Sequence, residues 1–220
     1  MLAAEHISRE LPTLKSTDSV VRVLSWMDEF SVVHLPVFDQ GKFLGMASES
    51  DLLEVIDPAT TLDTMKSRFL QVSARAYSPI YEVIQLMDEF HLSVLPIMDE
   101  NERFIGTIGY KEAIAAIVTS FNLNADGAIF ILEMPYVDYA LSEICRIIES
   151  NDARVLSSSI GFHEDRNLID VTIKVNTPSL SGILQTLERY GYNIKAYFQR
   201  ETDSDVMQDR YDALMRYLNT

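Results

Sequence analysis

The tetrapeptide Met-Asp-Glu-Phe occurs twice, at residues 27–30 and 87–90, and Leu-Pro follows each copy at the same distance, at 35–36 and 95–96. A duplication constrains a fold strongly, because each copy must build the same supersecondary unit and stack on the other to bury its apolar face. Residues 20–56 and 80–117 align throughout. The offset shifts from 60 to 61 residues at the turn, where Asp39-Gln40-Gly41-Lys42 is answered by Asp99-Glu100-Asn101-Glu102-Arg103. A change of one residue in length is what a loop tip tolerates.

Both copies share one local grammar. Asp18 or Ser19 can cap a helix in which Val20, Leu24, Met27 and Phe30 recur at helical spacing, matched by Ile80, Ile84, Met87 and Phe90. Strands follow over 34–38 and 94–98, then a turn in which Gly41 supplies an unusual φ. Second strands are expected over 43–48 and 104–109, and short helices beginning near Ser50 and Lys111. Each copy is thus a β-α-β-β-α unit too small to bury a core comfortably alone, and two of them packed about a pseudo-twofold axis solve that problem.

Two runs carry a family resemblance: Leu35-Pro36-Val37-Phe38 with Gly45-Met46-Ala47-Ser48-Glu49-Ser50-Asp51, and Leu95-Pro96-Ile97-Met98 with Gly106-Thr107-Ile108-Gly109-Tyr110-Lys111-Glu112. In tandem they resemble a CBS-domain pair, or Bateman module, over residues 1–121, with repeats at about 1–57 and 58–121. The resemblance implies binding of an adenosine-containing metabolite between the repeats. Ser48 and Asp51 match the positions that contact ribose, and an ionised carboxylate can accept from two vicinal hydroxyls. Backbone groups of His34 and Leu35 beside Pro36 would read an adenine edge, near Gly45, with the extended segment Leu11-Pro12-Thr13-Leu14 as the opposite wall. The equivalent positions of the second repeat are Pro96, Gly106, Gly109, Lys111 and Glu112. There Gly109 lacks a hydroxyl and Glu112 is one methylene longer, so one good site, in the first repeat, is expected. AMP, ADP, ATP or S-adenosylmethionine are the regulatory ligands implied, with no obligatory cofactor. The phosphates of ATP would need a metal or Lys15, Arg22, Lys42 or Arg75. The resemblance also implies a homodimer formed through helices that include 20–30 and 80–90.

The remainder has another grammar. Residues 122–127 (NLNADG) read as a linker. A strand over 128–134 is followed by a helix over 139–150 with Leu141, Ile144, Cys145 and Ile148 on one face and Asp138 as cap. Strands over 155–163 and 168–175 flank a polar turn at 164–167. Thr177-Pro178 opens a helix striped by Leu180, Ile183, Leu184 and Leu187, Gly191 suits its C-terminal end, and 193–199 is a last strand. The order βαββαβ over 128–202 is ferredoxin-like. An amphipathic helix over 203–220 is expected beyond it. This part resembles an ACT domain, and the whole α+β arrangement resembles the acetoin-utilisation type of CBS–ACT regulatory protein. That implies a domain that aids dimerisation or binds a second ligand such as an amino acid. The first strand–helix loop, Met134-Pro135-Tyr136-Val137-Asp138-Tyr139, lacks the glycine common there in ACT domains.

Charge narrows the partners. Lys and Arg number 18 against 33 Asp and Glu, a net charge of −15, and both halves of the chain are acidic. Nucleic acid and anionic membranes are therefore not expected partners. No apolar run approaches the roughly 20 residues of a membrane span, and the first ten residues lack the apolar stretch of a secretory signal. A single cysteine excludes an internal disulfide framework, and a cytoplasmic location is expected. Cys145 falls on an apolar helix face, and His6, His34, His91 and His163 show no metal-ligand spacing. No Ser-His-Asp, Walker or G-x-G-x-x-G pattern presents itself. The sequence thus points to a non-enzymatic regulator sensing an adenosine metabolite for an unknown regulated protein. The alternatives are a ligand-free scaffold docking to an enzyme or transporter, or an amino-acid sensor acting through the ACT-like part.

Overall fold

Helical periodicity and strand alternation are realised twice in the first half of the chain and again, differently, in the second. The computed structural model describes residues 1–163 and 167–199. Contacts divide the chain into two units, Met1–Ile117 and Val118–Thr220.

In the first unit, β1 (Leu14–Lys15), α1 (Val20–Glu29), β2 (His34–Asp39), β3 (Lys42–Ser48) and α2 (Glu49–Leu53) are repeated as β4 (Ala74–Arg75), α3 (Ile80–Glu89), β5 (Val94–Met98), β6 (Phe104–Gly109) and α4 (Tyr110–Ser120). Helix α1 buries Val20, Val23 and Met27; α3 buries the equivalent Ile80, Val83 and Met87. The acidic pairs Asp28-Glu29 and Asp88-Glu89 face solvent. Both helices stop the same way: Ser31 and His91 take a left-handed conformation, and the next amides, Val32 and Leu92, donate back to the carbonyls of Met27 and Met87 at 2.9 and 2.8 Å. This closes orphan carbonyls of the last turn. Each sheet has three strands, the first parallel to the second and the second antiparallel to the third. The β2–β3 hairpin turns on Gln40 and Gly41, both at positive φ, which matches the twist of paired strands. Leu35 and Val37, like Leu95 and Ile97, are fully buried in two adjoining cores.

In the second unit β7 (Ala128–Pro135), α5 (Leu141–Glu149), β8 (Val155–His163), β9 (Leu168–Val175), α6 (Ser181–Arg189) and β10 (Asn193–Phe198) form a four-stranded antiparallel sheet ordered β10-β7-β9-β8. Phe130, Leu132, Ile169, Val171 and Ile173 bury one sheet face against Ile144, Ile148, Ile183 and Leu187 of the helices. Segment 122–127 is tied down within this unit. The ammonium of buried Lys174 donates to the carbonyls of Asn122 and Leu123 at 2.7 and 2.9 Å, and the Asn122 amide donates to Leu156.

Two caps differ from expectation. Asp138 lies in a 3-10 turn, Tyr136–Asp138, and α5 starts at Leu141 with Ala140 at its cap position. Helix α6 starts at Ser181, not at Thr177-Pro178. The intervening chain is used otherwise: the Thr177 hydroxyl folds onto the Ser179 carbonyl, and the amide of fully buried Leu180 donates to Gln199. The helix expected over 203–220 lies outside the described residues.

Candidate ligand-binding site

The two glycines of the repeated motif are explained by chain crossings. At Gly106 φ is +150°, and a Cβ would lie against the Ile7 side chain and 2.5 Å from the Ser8 carbonyl oxygen. At Gly45 φ is +129°, and a Cβ would lie 2.8 Å from Phe69 Cβ and 3.0 Å from the Leu70 oxygen. In each case an extended segment passes over the strand and pairs with the next residue. Ser8 exchanges amide hydrogen bonds with Thr107 (2.8 and 2.9 Å), and Leu70 with Met46 (3.1 and 2.9 Å). Only a residue without a side chain allows backbone so close. The N-terminal segment therefore serves the second repeat, and the segment between the repeats serves the first.

In the first repeat, Ser48 ends β3 and caps α2, accepting from the Asp51 amide at 3.2 Å. Its hydroxyl donates to Asp51 Oδ2 at 2.6 Å. The Asp51 charge acts on His34, at the start of β2. Burial pushes the His34 imidazole below its ordinary value, and the Asp51 carboxylate opposes that shift. Nδ1 of His34 accepts from the Ser93 amide at 3.2 Å, which leaves a neutral ring its proton on Nε2. Ser93 Oγ in turn accepts from the amides of Val33 and His34, both at 3.1 Å. Val33 and Ser93 are equivalent positions 60 residues apart, so this polar clasp joins the repeats where their sequences diverge.

In the second repeat the carboxylate is bound differently. Glu112 Oε2 accepts from the Gly109 amide at 3.0 Å, so the longer side chain reaches back to the strand end as in one half of a capping box. Here a cavity of about 230 Å³ opens. It is lined by Ser8, Glu10 and Leu11 of the crossing segment, residues 30–32 after α1, Ser93 and Val94 of the second repeat, and residues 109–112. Lys111, exposed at its rim, is its cationic side chain.

The expected residues are thus redistributed. Ser48, Asp51 and His34 come together, as do Gly109, Lys111 and Glu112. The segment holding Pro12 and Thr13 leads from the Ser8–Thr107 crossing to the first repeat, where Leu11 and Leu14 join its core and Leu14–Lys15 pairs with β2; Thr13 lines a separate cavity at the hairpin ends. The His34 amide is taken by Ser93, so it is not free to read a base edge. Gly45 and Gly106 act through chain crossing, and Pro36 and Pro96 are buried within β2 and β5. Leu11, expected in the wall of the first-repeat site, lines this second-repeat cavity instead; Ser8, Glu10 and Ser93 were not anticipated, because pairing across such sequence distances leaves no mark on local periodicity. Among the described residues no group of three or more His, Cys, Asp or Glu side chains is placed to hold a metal. No described helix is long and apolar enough to cross a membrane.

The sequence profile of the CBS domain matches residues 3–58 and 63–119, just over half of the chain. A homoserine O-acetyltransferase of Methanosphaera stadtmanae is 29% identical over 98 residues, 44% of this chain and 20% of that protein. The chain therefore spans about a fifth of the length of that relative. Among solved structures, a CBS domain pair/ACT domain protein of Thermotoga maritima is similar over 54% of this chain and 98% of its own, at 21% identity and a TM-score of 0.49. CBSX2, solved in complex with AMP, is similar over 54% of this chain and 96% of its own, at 20% identity and a TM-score of 0.44.

Proposed function

The chain belongs to the CBS-domain family, and from that premise we propose that it is a non-enzymatic regulator whose paired repeats bind an adenosine-containing metabolite. The observation that carries this reading is the cavity built jointly by both repeats and the N-terminal segment, with the second repeat's helix start as its floor. The Ser48–Asp51 pair is the same corner of the first repeat and offers the better ribose chemistry, a hydroxyl and a short carboxylate already hydrogen-bonded to each other. Two vicinal hydroxyls can replace that mutual bond. Lys111 is the cation available to a phosphate at the second corner. AMP, ADP, ATP and S-adenosylmethionine are the candidate ligands, and none is required for the fold.

The second unit, with its split β-α-β order, aids dimerisation or takes a second ligand such as an amino acid. Exposed Val21 on α1 and Tyr81 on α3 support a homodimer through those helices. Sedimentation at micromolar concentration tests this, and a monomer there would refute the dimer.

A ligand at about 100 times its dissociation constant stabilises the folded state by roughly 2.7 kcal/mol, several degrees in a chain of this size. Thermal shifts with the four adenosine compounds, with and without magnesium, and with the twenty amino acids test the proposal. A rise with an adenosine compound that is lost in Asp51→Ala or in Glu112→Ala supports it and assigns the corner. A rise with an amino acid alone moves sensing to the second unit. No response from folded, ligand-free protein refutes the sensor and leaves the scaffold reading, in which the repeats dock to an enzyme or transporter.

A further inference from the structure

At the hairpin ends of the first unit lies a larger cavity of about 650 Å³, distinct from the cleft just described. Its floor is aromatic: Phe38 of the first repeat and Phe104 of the second meet at 5.0 Å between ring centroids. Lys15 and Arg103 line it, and among the described residues neither side chain makes an ion pair or hydrogen bond. The one carboxylate in the lining, Asp39, is already compensated, accepting from the Ser16 hydroxyl at 3.0 Å and facing the Lys66 ammonium at 3.6 Å. In a chain of net charge −15, two uncommitted cations over an aromatic floor are a departure that a solvated surface does not require.

The duplication supplies an internal comparison. Lys15, Phe38, Arg103 and Phe104 correspond to Arg75, Met98, Lys42 and Phe43, which line a smaller cavity of about 290 Å³. There the cation is consumed: Arg75 pairs with Glu102 at 2.9 Å and donates to the Asp99 carbonyl. In the first repeat the residue equivalent to Glu102 is Gly41, so no carboxylate reaches the corresponding cations. Methionine at position 98 also removes one of the two floor rings.

We propose that the hairpin-end cavity is a second ligand site, for a small organic anion with a flat apolar body. The volume lies in the range of small-molecule pockets. The rings supply apolar contact for the body, and Lys15 and Arg103 supply charge-assisted hydrogen bonds for the anionic group. Nucleoside monophosphates and aromatic carboxylates share this chemistry.

The test uses 1-anilinonaphthalene-8-sulfonate as probe and the uncharged N-phenyl-1-naphthylamine as its control, both followed by fluorescence on the full chain. In Lys15→Gln/Arg103→Gln the anionic dye should bind about tenfold more weakly, with the uncharged dye changed less than twofold. Lys42→Gln/Arg75→Gln, at the equivalent cavity, should leave the anionic dye unchanged, as should Asp51→Ala and Glu112→Ala. The dye should shift the amide resonances of Thr17 and Gly41. Displacement by AMP or by salicylate then identifies the nucleotide or the aromatic acid as the source of the chemistry. The proposal is overturned if the first pair of substitutions changes the anionic dye's affinity less than twofold, or if the equivalent pair weakens it equally. Lys15, Lys42 and Arg103 are exposed and Arg75 is half-buried, so circular dichroism and thermal unfolding of each variant check that it folds, and the adenosine reading stands or falls separately.

Discussion

Replacing Gly106 by alanine should unseat the N-terminal segment, and the cost follows from the geometry. Holding a non-glycine residue in a sparsely populated backbone region costs about 1–3 kcal/mol. The new Cβ would lie 2.5 Å from the Ser8 carbonyl oxygen, which is backbone and cannot rotate away. The segment must therefore lift off β6 and give up the reciprocal Ser8–Thr107 pair at 2.8 and 2.9 Å. Each of those bonds contributes about 0.5–1.5 kcal/mol net. The expected loss is about 2–6 kcal/mol, or a fall of roughly 10–20 °C in Tm for a loss in the middle of that range. Urea unfolding followed through Trp26, the only tryptophan and in the same unit, measures it. Hydrogen exchange at Ser8 and Thr107 checks the mechanism, since both amides should lose protection. Gly109→Ser is the matched control: a Cβ there comes closest to Glu112 Oε2, a side-chain end that can turn aside, at 3.2 Å and lies in ordinary contact with the Ser93 oxygen at 3.6 Å, and serine suits a helix start, so stability should change by less than about 0.5 kcal/mol. The reasoning fails if Gly106→Ala costs less than about 1 kcal/mol while both amides stay protected.

Three further outcomes are expected. Ser93→Ala removes the acceptor of two backbone amides in the clasp between the repeats, and should cost about 2 kcal/mol or more in urea unfolding; a loss below about 0.5 kcal/mol would mean that water replaces it. His34 is held below its ordinary pKa, so on acidification the unfolded chain takes up a proton first. Its contribution is then complete above the ordinary histidine value and is lost as pH falls from there toward the depressed folded value. His34→Asn keeps an acceptor for the Ser93 amide without a titrating ring, and should flatten that part of the stability–pH curve; an unchanged curve would place the acid sensitivity elsewhere. In the second unit, a hydrogen bond from Lys195 at 2.5 Å holds the Asp170 carboxyl below its ordinary value, with His163 assisting and burial opposing. That contribution is present above the ordinary carboxylate range and lost as pH falls through the depressed value. Lys195→Gln should raise the Asp170 value in a carboxyl carbon NMR titration, and no movement would reassign the shift.

Much of the fold was legible in the residues. The duplicated Met-Asp-Glu-Phe and Leu-Pro strings placed α1 and α3, β2 and β5, because side-chain periods of 3.6 and 2 are properties of the local chain. The βαββαβ order of the second unit was readable for the same reason. Helix starts were less so. Asp138 and Thr177 have good capping chemistry, yet caps form only where the tertiary path brings the backbone into place, and buried Leu180 delays α6 to Ser181. The site was half legible. Ser48 and Asp51 lie together because three residues separate them at a strand–helix junction, and Gly109 and Glu112 repeat that spacing.

What surrounds those corners is a tertiary decision. Sequence alone determined that two equivalent units exist, that each ends a strand at a carboxylate-bearing helix start, and that each carries a glycine in its third strand. It did not determine which distant segment crosses which glycine. Ser8 passes over the second repeat rather than the first, and Leu70 over the first, so the N-terminal residues line the cavity beside Glu112 and leave Asp51 to His34 and Ser93. Such pairings join residues up to about a hundred positions apart. They are selected by the shape of the folded core, because an extended polar segment has the same local conformation wherever it docks.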